Sequence, residues 1–131
     1  MDKRFLSISF LLGALAVALG AFGAHALKEM VDEHAMETYQ TSVQYHFYHV
    51  IALAFTGLLL RSGTNVWYKR AGYLFITGII IFSGSLYTMT FLKAAAVDGV
   101  NWLGAITPIG GLCFIVGWLC LLMGVKTAPK S

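Results

Sequence analysis

Four long apolar stretches, Phe5 to Leu27, Val43 to Leu60, Ala71 to Leu92 and Trp102 to Val125, alternate with short polar ones. None carries Asp, Glu, Lys or Arg in its interior. A helix rising ~1.5 Å per residue crosses ~30 Å of hydrocarbon in about 20 residues, and its amides bond within the helix because lipid offers no partner. The pattern therefore predicts four transmembrane helices. The polar connections, Lys28 to Ser42, Arg61 to Arg70 and Lys93 to Asn101, are too short for a further domain. The expected fold class is all-α, an integral membrane four-helix up-down bundle, with residues 1–131 as a single membrane domain. The second helix is expected to start before the membrane. Asp32 suits an N-cap, Glu33 and Glu37 suit the positive end of the helix dipole, and no Pro interrupts the run to Leu60.

Residue size along each span suggests how the helices pack. In the first, Ala14, Ala18, Ala21 and His25 share one stripe, while Leu11, Leu12, Leu15, Leu19 and Phe22 share another arc. Small residues allow close approach, so the first stripe is expected to face protein and the second lipid, which turns His25 into the bundle. In the fourth span Gly110, Gly117 and Gly124 recur every seventh residue with Cys113 and Cys120 on the same flank, a predicted tight seam. The two cysteines differ in rise by about 10.5 Å, too far to bridge each other, and read as small packing residues. Pro108 is expected to kink or start its helix. In the third span Ser83, Tyr87 and Thr90 share a face suited to interhelical hydrogen bonds.

Composition agrees that lipid is the solvent: the 131 residues are 58% hydrophobic and 11% charged. The nine Lys and Arg against six Asp and Glu do not point to nucleic acid, because the basic residues stand singly or in pairs at helix ends. Lys3, Arg4, Arg61, Lys69, Arg70, Lys126 and Lys130 fall on one side; Lys28 and Lys93 fall on the other, with Glu29, Asp32, Glu33, Glu37 and Asp98. The excess predicts that both termini are cytoplasmic. Lys3-Arg4 and Ala24-His25-Ala26 imitate a secretory signal, but the apolar run exceeds a usual signal core, so the segment is expected to be retained. Trp67, Tyr68, Tyr73, Trp102 and Trp118 lie near predicted span ends and read as interfacial anchors.

The candidate chemistry sits at the acidic end. On a helix Tyr39, Ser42, His46 and His49 occupy one narrow arc continuing into Leu53, with Gln44 nearby, and His25 approaches the same level from the first helix. An ionisable group in a bilayer is a functional hypothesis by default. Three readings stand open. The imidazoles hydrogen-bond to Tyr, Gln and Ser partners and pin helix ends; or His25, His46 and His49 hold a metal or haem; or the stripe serves a small oligomeric channel or proton-coupled carrier. No nucleophile, base and orienting acid occur together and no glycine-rich phosphate loop is present, which argues against an enzyme.

Gly20-Ala21-Phe22-Gly23-Ala24-His25-Ala26-Leu27, Tyr39-Gln40 with His46 and His49, Phe82-Ser83-Gly84-Ser85-Leu86-Tyr87 and Thr107-Pro108-Ile109-Gly110-Gly111 occur in this order. Together they resemble the YwdK/YgdD-like family of small bacterial membrane proteins of unassigned function. The resemblance covers nearly the whole chain. It implies four helices in a bacterial inner membrane and supplies no activity. It marks His25, Tyr39, His46, Ser83, Ser85, Tyr87, Thr107 and Pro108 as positions to test. The leading expectation is an uncharacterised, non-enzymatic accessory or binding protein with a polar cluster of His25, Tyr39, Gln44, His46 and His49 in the outer leaflet. No cofactor is required. The expected partners are the lipid bilayer and either further copies or a larger membrane complex.

Overall fold

The computed structural model describes residues 1–130, and its long elements are all helices. Helix α1 (Lys3–His25) starts on Asp2, whose carboxylate accepts from the Arg4 and Phe5 amides. Helix α2 (Glu33–Leu59) starts on Asp32, which accepts from the Ala35 amide, so its first turns precede the apolar stretch. Asn65 caps α3 (Val66–Gly78), which passes through a π turn (Ile79–Ser83) into α4 (Gly84–Ala94) without leaving the helical path. Helix α5 (Thr107–Thr127) has Pro108 in its first turn, where the missing amide costs nothing, so this proline starts the helix rather than kinking it. Four helical stretches, Lys3–Glu29, Glu33–Ser62, Val66–Ala94 and Asn101–Thr127, are long and apolar enough to cross a membrane.

The helices run up and down. The Asp2 amide bonds to Gly57 O, and Asn65 Nδ2 donates to Gly124 O, so both chain ends gather at the basic end of the bundle with Arg61 and Lys69. Helix α1 lies along α2, α5 lies along α3, and α2 meets the composite α3–α4 rod between them. The central core joins Phe5, Leu53, Ala71, Phe75, Ile79 and Phe114.

The α3–α5 seam interlocks on a seven-residue repeat. Gly110, Gly117 and Gly124 face Phe82, Phe75 and Tyr68 respectively, and Gly78 returns the favour to the Phe114 ring. A Cβ at Gly117 would stand 2.7 Å from the Phe75 ring; at Gly110 it would run into the Phe82 backbone. Cys120 is buried in this seam and Cys113 is half-buried, both as free thiols.

Three expectations about packing are corrected. Ala14, Ala18, Ala21 and His25 are exposed, while the buried line on α1 is Phe5, Ser9, Ala16 and Gly23. Leu12 and Leu19, expected toward lipid, pack against the core. The cause is that lipid accepts alanine as readily as leucine, so smallness alone does not mark the inner face. The face is chosen where a specific large partner needs a notch, as Tyr39 does at Gly23 and Phe5 does at Gly72. Of the expected anchors, Tyr68 is buried against Gly124, and Trp118 lies well inside α5 rather than at its end.

Candidate functional site

Helix α2 turns Tyr39, Ser42, His46 and His49 inward, each buried, as its periodicity requires. Tyr39 fills the Gly23 notch and its hydroxyl donates to Leu19 O, tying α2 to α1. Ser42 and Ser83 exchange hydrogen bonds: Ser42 Oγ donates to Ser83 O at 2.8 Å and Ser83 Oγ to Ser42 O at 3.0 Å. Ser83 closes the π turn, so the widened backbone presents this serine and its carbonyl to α2. Ser85 Oγ meets Thr107 Oγ1 at 2.7 Å and thereby ties α4 to the start of α5.

The two α2 histidines differ in state. His49 Nδ1 lies 2.7 Å from Tyr45 O, and its Nε2 lies 3.1 Å from Trp118 Nε1. A carbonyl only accepts and an indole N–H only donates, so the proton is on Nδ1 and the ring is neutral with both nitrogens engaged. Phe114 stacks on it at 3.5 Å between centroids. His46 shares a 2.8 Å hydrogen bond between Nδ1 and the Tyr87 hydroxyl, but its Nε2 is buried without a partner. Tyr87 also packs against the Tyr39 ring, at 5.4 Å between centroids.

The structure does not bring together everything the sequence pattern grouped. His25 is exposed at the end of α1, away from His46 and His49, because the α1 face is rotated from the expected one. Gln44 points out of the bundle, its Nε2 donating to the Tyr48 hydroxyl at 2.6 Å. Among the described residues no three His, Cys, Asp or Glu side chains gather around a common point. The lone pair of His49 is taken by Trp118 and His25 is elsewhere, so the three histidines do not form one common ligand set. Trp118 and Phe114 were not anticipated as partners of the stripe. The available signal was the position of Trp118 far inside an apolar span, where an interfacial anchor does not sit.

Two openings flank α2. A groove of about 450 Å³ between α1 and α2 has Gly20, Ala24, Met36 and Val43 along it and the carboxamides of Gln40 and Gln44 at its edge. A second, about 380 Å³, lies between α2 and α5, lined by Tyr45, Tyr48, Phe114, Ile115 and Trp118.

The family model described as "Protein of unknown function (DUF423)" matches residues 19–111, from the start of the Gly23 notch to the Gly110 contact. The chain belongs to this family. DUF423 relatives are similar over almost their full length. The UPF0382 membrane protein YwdK of Bacillus subtilis is 37% identical over 92% of this chain and 94% of its own. A UPF0382 membrane protein of Staphylococcus epidermidis is 41% identical over 92% and 93%. The UPF0382 inner membrane protein YgdD of Escherichia coli is 31% identical over 95% and 91%. No solved structure matches. DUF423 membership and the four apolar helices together make this a membrane protein of a bacterial family whose function is unassigned.

Proposed function

We propose that the protein is a non-enzymatic accessory or binding protein of the bacterial cytoplasmic membrane, and that it works through the acidic-end half of α2. The observation that carries this reading is the division of the polar stripe. Its inward members Tyr39, Ser42 and His49, with Ser83 of the facing rod, spend their hydrogen bonds on backbone carbonyls and Trp118, and His46 bonds Tyr87 through Nδ1 with only its Nε2 left unpartnered, which supports a framework role. Outward of the stripe, Gln40 in the turns before the apolar stretch and Gln44 in its first turn edge the groove between α1 and α2. A carboxamide at the lipid edge is costly unless something meets it. Binding at Gln44 accounts for that cost.

Both termini on the cytoplasmic face is the orientation that the basic-end excess supports, and the name of the Escherichia coli relative supports the inner membrane. A reporter fused after Ser131 then reads cytoplasmic, and one inserted between Lys28 and Ser42 reads external.

Photo-crosslinking residues placed at Gln40 and Gln44, against lipid-facing controls at Leu112 and Leu119 on α5, test the binding reading in native membranes. A discrete adduct at the α2 positions, above the bulk-lipid labelling of the controls, is expected. Equal labelling at all four overturns it.

A further inference from the structure

Helix α2 buries one face and leaves the opposite one open. The open line is Thr41, Gln44, Tyr48, Ile51, Phe55 and Leu58, all exposed. Its steps alternate three and four residues, as a single stripe along an α-helix does. The half toward the basic end is as apolar as any lipid-facing surface. The other half is not.

Gln44 precedes Leu60, the end-cap of α2, by about sixteen residues, so it stands about 24 Å along the helix, in the outermost turn of a hydrocarbon layer of ~30 Å. Its Nε2 reaches the Tyr48 hydroxyl on the same helix, which uses one N–H. The carbonyl oxygen and second N–H are left toward the bilayer. A carboxamide donates and accepts at once, so it is complementary to its own copy across a twofold axis, as a carboxylate or an ammonium is not. Shape agrees with this. The Gln44–Tyr48 crest runs between the two grooves, of about 450 and 380 Å³, so two crests related by a twofold axis each lie beside a groove of the other.

We infer that the open face of α2 is the surface on which two copies of this chain pair, with the Gln44 carboxamides bonded across the axis. The inference rests on the reading above, that the acidic-end half of α2 holds a partner, and identifies that partner as a second copy. The pairing line continues through Ile51, Phe55 and Leu58, where large apolar side chains supply the contact. Gln44 sets the register, as a single polar residue does in a helical seam.

The test uses the full chain in native membranes in a Cys113→Ala, Cys120→Ala background whose tryptophan emission matches the parent. Gln44→Cys, Tyr48→Cys and Ile51→Cys are oxidised beside the lipid-facing controls Ala18→Cys and Leu119→Cys. Disulfide-linked dimer in several-fold excess at the three α2 positions is expected. In liposomes, energy transfer between labelled copies reads self-association directly. Gln44→Leu is expected to weaken it about tenfold, and Gln44→Asn, which keeps the carboxamide, to weaken it less. Crosslinking no greater than at the controls, or self-association unchanged by Gln44→Leu, overturns the inference. An adduct to a different molecule at Gln44 without self-crosslinking overturns it and leaves the binding reading standing. No discrete adduct at α2 sinks both.

Discussion

The α3–α5 seam and the α1–α2 seam are both built on glycine, and they differ in what the glycine meets. At Gly110, Gly117 and Gly124 the missing side chain is replaced by an aromatic side chain or backbone of the facing helix, so each notch is filled. At Gly13 and Gly20 an added Cβ would find only a valine methyl at 3.4 Å, ordinary contact, and a groove opens beside Gly20. One seam is closed and the other is accommodating. Within the α1–α2 pair only Gly23, under Tyr39, is occupied as tightly as the α5 glycines. Close packing in lipid stabilises by dispersion rather than by expelling water, so a filled notch adds stability and an unfilled one leaves space for something else.

That contrast breaks most visibly at Gly110. Gly110→Val forces a side chain onto the Phe82 backbone, which cannot rotate away, and about 3 kcal/mol of destabilisation or more is expected. Detergent-titrated unfolding followed by tryptophan emission measures it, and a cost near zero would mean that the seam is not closed. A double-mutant cycle on Ser42→Ala and Ser83→Ala samples the polar joint between the seams. A coupling of ~0.6–1.7 kcal/mol is expected from paired bonds in a membrane interior. Additive losses would show that the two bonds do not act as a unit. The smallest effect belongs to Gly20→Ala, expected within ~0.5 kcal/mol because its Cβ has room. A loss comparable to that at Gly110 would erase the distinction between the two seams.

The helices were legible because their signal is a simple one, uncharged runs bounded by charge, and so was the buried arc of α2, since Tyr39, Ser42, His46 and His49 follow the helical period. The α5 glycines were legible for the same reason. The face of α1 was not, because a lipid-facing surface and a protein-facing surface are equally apolar and the Ala14–Ala18–Ala21 line satisfies either. Its orientation depends on two distant notches, Gly23 for Tyr39 and Gly72 for Phe5, whose pairing appears only in three dimensions. The same limit separated the histidines. His49 found its partner in Trp118, sixty-nine residues away, and His25 was left outside by the rotation of its helix.

The π turn at Ile79–Ser83 joins the two stretches of the third rod. Before it, Tyr68 and Phe75 keep step with the α5 glycines; after it, Ser85 and Tyr87 keep step with Thr107 and His46. The turn holds one residue more than an α-helical turn would in the same arc, so losing a single codon there would leave a plain α-helix whose flanking faces keep their places but which lacks the widened backbone that offers Ser83 and its carbonyl to Ser42. A deletion in the regular helix on either side would instead rotate everything beyond it by about 100°. These five positions are therefore the part of the rod where a change of length is most easily absorbed.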